Sequence, residues 1–172
     1  MGKRVIRYNI WESNSSSSHT VSVSKESSIN IPKVNPDEKI TMSFGEFGWE
    51  WETYYDLWGK LQYALEMVYE TEVPWDLKSS NDYDEVLEAF YDTEGFKDIN
   101  EVIKDELNCS GIEMELNYDA WYPFGYIDHQ SFEDYGCLQD FLNDYGVDLY
   151  RFLFDGNVVL RTGNDNGRME VK

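Results

Sequence analysis

Trp51-Glu52-Thr53-Tyr54-Tyr55-Asp56-Leu57-Trp58-Gly59-Lys60-Leu61-Gln62-Tyr63-Ala64-Leu65-Glu66-Met67-Val68-Tyr69 decides how the rest of the chain is read. Tyr54, Leu57, Trp58, Leu61, Ala64, Leu65 and Val68 recur at three- and four-residue spacing, which predicts an amphipathic helix over 51–69 with Asp56, Lys60 and Glu70 off its apolar face. Pro74 stands where such a helix must already have ended. Upstream the period changes to two. Lys3–Asn9, Thr20–Ser24 and Lys39–Phe44 alternate polar and apolar residues and predict strands. The polar tract Ser13–His19 between the first two has the composition of a flexible linker but is too short to separate domains, and 30–36, with two prolines, reads as a loop. Downstream, Tyr83–Tyr91 predicts a helix capped by Asn81 or Asp82 with Val86, Leu87 and Phe90 inward. Gly95 is expected to break the chain before a further helix over Ile99–Leu107. Gly111 opens a strand, Ile112–Leu116. Leu138–Leu142 and Leu149–Phe154 are short helices parted by Gly146, and Val158–Arg161 closes as a strand. Strands, then helices, then strands is the order of an α+β fold: one domain over 1–172, a largely antiparallel sheet packed on three to five helices.

The 172 residues include 41% hydrophobic and 16% aromatic side chains, enough for a packed core. Thirty-four Asp and Glu oppose 14 Lys and Arg, a formal charge of −20. A pI near 4.2 argues against direct nucleic-acid binding, which needs cations to displace phosphate counterions, and against anionic membrane surfaces. No apolar run reaches the roughly 18 residues of a membrane span, and Met1–Tyr8 lacks the apolar stretch of a signal peptide. Cys109 and Cys137 form neither a disulfide scaffold nor a four-ligand zinc set and read as small core residues. A cytoplasmic protein without a cofactor is expected. The charge is uneven: 1–45 carries six basic and four acidic groups, 46–156 carries five basic and 28 acidic, and 157–172 three basic and two acidic. The acidity therefore belongs to the region of the predicted helices.

Few residues offer chemistry of their own. The chain has two histidines: His19 ends the serine tract and His129 lies in Ile127-Asp128-His129-Gln130-Ser131. Histidine titrates near neutrality, a hydroxyl such as Ser17 supplies a nucleophile, and Asp128 can orient a ring. Structural hydrogen bonding is the competing role for both histidines. Metal binding is weaker still, because His19, His129, Asp128, Glu46 and Glu50 show no ligand spacing. Gly163-Asn164-Asp165-Asn166-Gly167 shares only part of a calcium-loop pattern and reads as a turn. Gly45-Glu46-Phe47-Gly48-Trp49-Glu50-Trp51-Glu52 pairs aromatics with carboxylates. It reads as aromatic packing at the start of the long helix rather than a base-stacking lip, since no cations accompany the rings.

Three segments, Glu12-Ser13-Asn14-Ser15-Ser16-Ser17-Ser18-His19-Thr20, Phe44-Gly45-Glu46-Phe47-Gly48-Trp49 and Gly125-Tyr126-Ile127-Asp128-His129-Gln130-Ser131, resemble a family of uncharacterised proteins of bacteria, phages and other mobile elements. They span 12–131. The resemblance implies a phage or mobile-element setting and a common site built from Asn14, the serines, His19, Glu46, Asp128 and His129.

Two functions are expected to compete. In the first, Asp76, Asp82, Asp84, Glu85, Glu88, Asp92, Glu94, Asp98, Glu101, Asp105 and Glu106 present a DNA-like negative surface. Its partner is a basic nucleic-acid-binding protein such as a host defence nuclease, an inhibitor role of the anti-CRISPR or anti-restriction type in the host bacterial cytoplasm. In the second, Ser17, His19, Asp128 and His129 serve an enzyme or a site for a nucleotide or metal. Exposed Trp and Tyr would also allow an oligomer interface.

Overall fold

A computed structural model describes residues 17–23, 29, 33–128 and 135–164. The expected strand Lys3–Asn9 lies outside the described residues, as do Ser13–Ser16, His129 and most of the C-terminal turn.

Four short strands come first: β1 (Ser17–Val23), β2 (Lys39–Ser43), β3 (Glu46–Phe47) and β4 (Glu52–Tyr54). Four helices follow: α1 (Leu57–Glu72), α2 (Trp75–Lys78), α3 (Tyr83–Tyr91) and α4 (Glu94–Leu107). Then come β5 (Gly111–Glu115), β6 (Tyr126–Ile127), α5 (Leu138–Asp144), α6 (Leu149–Phe154) and β7 (Val158–Asn164). The mixed α+β class is the one expected, with six helices among the described residues.

The strands do not form one largely antiparallel sheet. They form three small ones: an antiparallel β1-β7-β4 sheet and two parallel pairs, β2-β5 and β3-β6. Chain connectivity explains this. β2 and β5 are separated by all four helices of the first helical run, and a crossover of that length returns the chain in the same direction. The serine tract also departs from expectation, because Ser17, Ser18 and His19 extend β1 and pair with Asn164, Gly163 and Thr162 of β7.

Helix α1 begins later than its periodicity suggests. Residues 52–54 are taken by β4, and Asp56 caps the helix by accepting from the Gly59 amide at 3.0 Å. Leu61, Tyr63, Ala64, Leu65, Met67 and Val68 are all fully buried. A helix apolar around most of its circumference is a central one, and α3, α4, α5, α6 and β6 all pack on it. That is why Lys60, expected off the apolar face, has no exposed surface, whereas Trp58, expected on it, is 39% exposed.

The later helices follow their caps. Asp82 caps α3 and accepts from Glu85, and Thr93 caps α4 and accepts from Phe96. Gly95 therefore does not break the chain: it lies in the first turn of α4, just after the cap Thr93. It is small because a methyl there would overlap the Glu72 carboxylate and Val68 of α1, so it sets the close approach of the two helices. Cys109 is buried as expected, but Cys137 is only half-buried at the start of α5.

Candidate functional site

Two regions concentrate charge and exposed aromatic surface. The first is the outer side of α3 and α4. In α4, Phe96, Ile99, Ile103 and Leu107 are buried at three- and four-residue spacing. Glu94, Asp98, Glu101 and Asp105 repeat with the same spacing half a turn away, so they form a stripe opposite the buried face. All eleven carboxylates singled out in the sequence, from Asp76 to Glu106, are exposed. Three of them have local duties: Asp82 caps α3, and Asp92 and Glu94 accept ion pairs from Lys97 at 2.9 and 3.6 Å. Exposed pairs of this kind are worth at most about 1 kcal/mol and leave the face strongly negative. A shallow groove beside α3 carries Glu85, Glu88 and Asp92 with Leu77, Ala89 and Tyr91.

The second region is where two of the three resemblance segments meet. Glu46 and Phe47 of β3 pair with Tyr126 and Ile127 of β6; Tyr126 donates to the Gly45 carbonyl at 2.9 Å and Asp128 to that of Phe47 at 3.0 Å. Phe47 and Ile127 point into the core, while Glu46 is exposed and Tyr126 half-buried. Pairing thus brings Glu46 and Asp128 onto one short ladder. Packing against the core accounts for Phe47, whose ring meets Tyr54 and Tyr63 edge-on. It does not account for Trp49, which is half exposed and stacks on Tyr126.

The residue beneath this ladder escaped the sequence reading. Glu66 of α1 is fully buried. One carboxylate oxygen accepts from the Gly45 amide at 3.3 Å, and the other meets no hydrogen-bond donor among the described residues. Gly125 lies against the same carboxylate with φ +71°; a methyl there would overlap both it and the Gly45 carbonyl oxygen. Gly125 therefore leaves the space the buried carboxyl group occupies, and Gly45 supplies the amide that holds it. Burial raises the Glu66 carboxyl well above its usual range, and Glu70 and Glu46 add to the rise against the lowering by the Gly45 amide and Lys78. Lys78 is itself occupied, donating to the Glu70 carbonyl and carboxylate at 2.6 and 3.0 Å beneath the Tyr69 ring. The only sequence signal for Glu66 is a charge set between Tyr63, Leu65 and Met67, in the least polar stretch of the helix.

A raised carboxyl is stabilising while protonated. Its contribution is complete below the unfolded carboxylate range, near 4.3, and is lost as pH rises through the folded value. Glu66→Gln keeps the shape and removes the titration. It is expected to raise Tm by roughly 2 °C or more at pH 8 and to flatten the pH 5–8 melting profile relative to wild type. Calorimetric melts at several pH values measure this; a variant that melts lower than wild type at pH 8 contradicts it.

Of the two histidines, the backbone of His19 lies among the described residues. His19 is a register partner of Thr162 in β7, and Thr162 pairs in turn with Glu52 of β4, so its neighbours across the sheet are not Glu46 or Asp128. His129 lies outside the described residues. Among the described residues no group of His, Cys, Asp and Glu is arranged to hold a metal ion, and no helix is long and apolar enough to cross a membrane. No family model, curated protein or solved structure matches the chain.

Proposed function

We propose that the chain is a binding protein that offers its α3–α4 carboxylates to the basic cleft of a nucleic-acid enzyme and so keeps the nucleic acid out. In the mobile-element setting that the resemblance implies, the partner is a host defence nuclease of the restriction or CRISPR type, met in the host bacterial cytoplasm. The observation that carries this reading is the α4 stripe: Glu94, Asp98, Glu101 and Asp105 on the face opposite the buried one, flanked by Lys97, which pairs with Glu94 at 3.6 Å.

Magnitudes bound what the face can do. Each step of the stripe rises about 5–6 Å along the helix, whereas duplex DNA carries one charge per roughly 1.7 Å of axis. One helix is thus about three times sparser than the duplex. Asp84, Glu85 and Glu88 of α3, which packs on α4, are exposed as well and add to the field. The encounter is electrostatic and weakens as salt rises.

The test uses purified nucleases with basic clefts, assayed at about 50 and about 500 mM salt, where screening lengths differ roughly threefold. Inhibition at low salt should fade at high salt. The triple variant Asp98→Asn, Glu101→Gln, Asp105→Asn should lose at least about tenfold in inhibitory potency, since close interfacial charge pairs couple by about 1.5 kcal/mol or more. Its melting temperature should stay near that of wild type, because all three side chains are exposed. Absence of inhibition across restriction and CRISPR nucleases, or a triple variant as potent as wild type, removes the proposal.

The alternative, a ligand or catalytic site around His19 and His129, rests on the shared ladder of Glu46 and Asp128 alone. It predicts loss of activity in His19→Ala and His129→Ala without loss of fold.

A further inference from the structure

Exposed aromatic side chains occur at several places on the surface, and three of them, Trp49, Trp121 and Tyr122, come from the two segments that meet at the β3–β6 ladder. Trp49 and Tyr126 stack with ring centroids 5.1 Å apart, and Tyr122 and Tyr126 stack at 5.0 Å, so three rings share the outward side of the β3–β6 ladder. Trp49 is 51% and Tyr122 37% exposed, and the neighbouring Trp121 is 88% exposed. Large exposed aromatic side chains side by side are unusual on a protein surface that covers nothing, and Trp and Tyr are the residues that most often anchor a partner. The charges around the rings are of one sign. Glu46 is the register partner of Tyr126, Glu50 follows Trp49, and both are exposed. Asp128 and Glu70 are the charged groups that act on the Tyr126 hydroxyl. Among the described residues, Lys78 is taken up by its pair with Glu70.

Stacked π-faces edged by carboxylates select for a planar cation. A guanidinium lies flat on an aromatic ring and still donates in-plane hydrogen bonds to a carboxylate; an ammonium cannot do both as well. A nucleobase would also stack, but its phosphate would meet the carboxylates of Glu46, Glu50 and Asp128. We propose that the outward face of the β3–β6 ladder is a docking site for an arginine side chain on a basic protein partner, with the guanidinium seated on Trp49, Tyr126 and Tyr122 and hydrogen-bonded to Glu46. This goes beyond the α3–α4 reading and stands on different residues. The α3–α4 carboxylates attract any polycation; the aromatic ladder distinguishes arginine from lysine.

The experiment is calorimetric titration with two probes of equal charge, hexa-arginine and hexa-lysine, and a neutral control, maltohexaose. Wild type should bind hexa-arginine at least threefold more tightly than hexa-lysine. Trp49→Ala and Tyr122→Ala should each weaken hexa-arginine about three- to tenfold and leave hexa-lysine nearly unchanged, which is the range of an exposed cation–π contact. Trp49→Phe should retain much of the preference. Each variant is checked by its melting curve, and either aromatic variant suffices if the other fails to fold. The triple variant of the α4 stripe should weaken both peptides alike and keep the arginine preference; if it has no effect, the α3–α4 reading fails while this one stands. Equal affinity of wild type for the two peptides overturns the arginine site. So does an unchanged affinity in both aromatic variants, or binding of maltohexaose that Trp49→Ala abolishes, which would make the ladder a sugar platform.

Discussion

Gly125→Ala should lower Tm by about 5–15 °C. Two effects add. A non-glycine residue at a left-handed backbone position costs about 1–2 kcal/mol, and Gly125 has φ +71°. The added methyl also overlaps the Glu66 carboxylate and the Gly45 carbonyl oxygen. The carboxylate can shift only within a fully buried site, and the carbonyl is backbone that already accepts from the Tyr126 amide. Overpacking against such neighbours costs about 1–3 kcal/mol, and each kcal/mol moves Tm by about 2–4 °C in a chain of this length. Hydrogen exchange localises the damage: the Tyr126 and Asp128 amides, which hold β6 to β3, should lose protection first. A Gly125→Ala protein that melts like wild type would mean that Glu66 does not sit between the two segments.

The second large effect belongs to Lys60. Its stem runs through the core, and its ammonium donates to the Asp155 and Val158 carbonyls at 3.2 Å each, tying α1 to the turn that launches β7. Burial pulls the lysine down to about 8, against the opposing pull of Asp155 and Asp56. Lys60→Ala removes the stem and both donors from a site with no exposed surface. The loss is comparable to truncating a buried methionine, about 3 kcal/mol, or a Tm about 6–12 °C lower. Lys60→Met, which fills the same space, should recover more than half of it at pH 7, because it also removes a charge the interior disfavours. The sign with pH follows from linkage. A lysine lowered in the folded state stabilises above its unfolded range near 10.4, and that stabilisation is lost as pH falls through the folded value of about 8. The stability gap between wild type and Lys60→Ala should therefore widen from pH 7.5 to 9.5. Equal gaps at both pH values would show that the ammonium is not buried.

These two residues mark where the sequence stops being informative. Helix α3 was legible to the residue, because Asp82 is a capping side chain and Val86, Leu87 and Phe90 keep a clean period. Strands β2 and β5 were legible from alternation, but their parallel pairing was not, since alternation says which face is buried and not which strand lies alongside. Lys60 was misplaced because a one-sided pattern was assumed for a helix that is enclosed on most sides. Gly95 was misread as a breaker because its role is to let α4 approach α1, a tertiary fact without a local signal. The clustering of carboxylates in the helical region was legible from charge counting, but the α4 stripe was not, since a helix started at Ile99 leaves Glu94 and Asp98 outside it. Glu66 was not, because a glutamate in a helix is ordinarily a solvated residue. Its enclosure comes from Gly125, 59 residues later and packed against it, and from the Gly45 amide, 21 residues earlier and donating to it.

If the α3–α4 carboxylates stand in for nucleic acid, the chain and a duplex compete for one cleft. Competition tests it most directly. A fluorescent DNA duplex is bound to a basic-cleft nuclease at low salt, unlabelled chain is added, and anisotropy reports how much duplex stays bound. The account predicts progressive release of the duplex to the free value, reversed by raising the salt, with the triple variant Asp98→Asn, Glu101→Gln, Asp105→Asn needing at least about ten times more protein. A ternary complex, in which the chain binds the nuclease while the duplex stays in place, would contradict it.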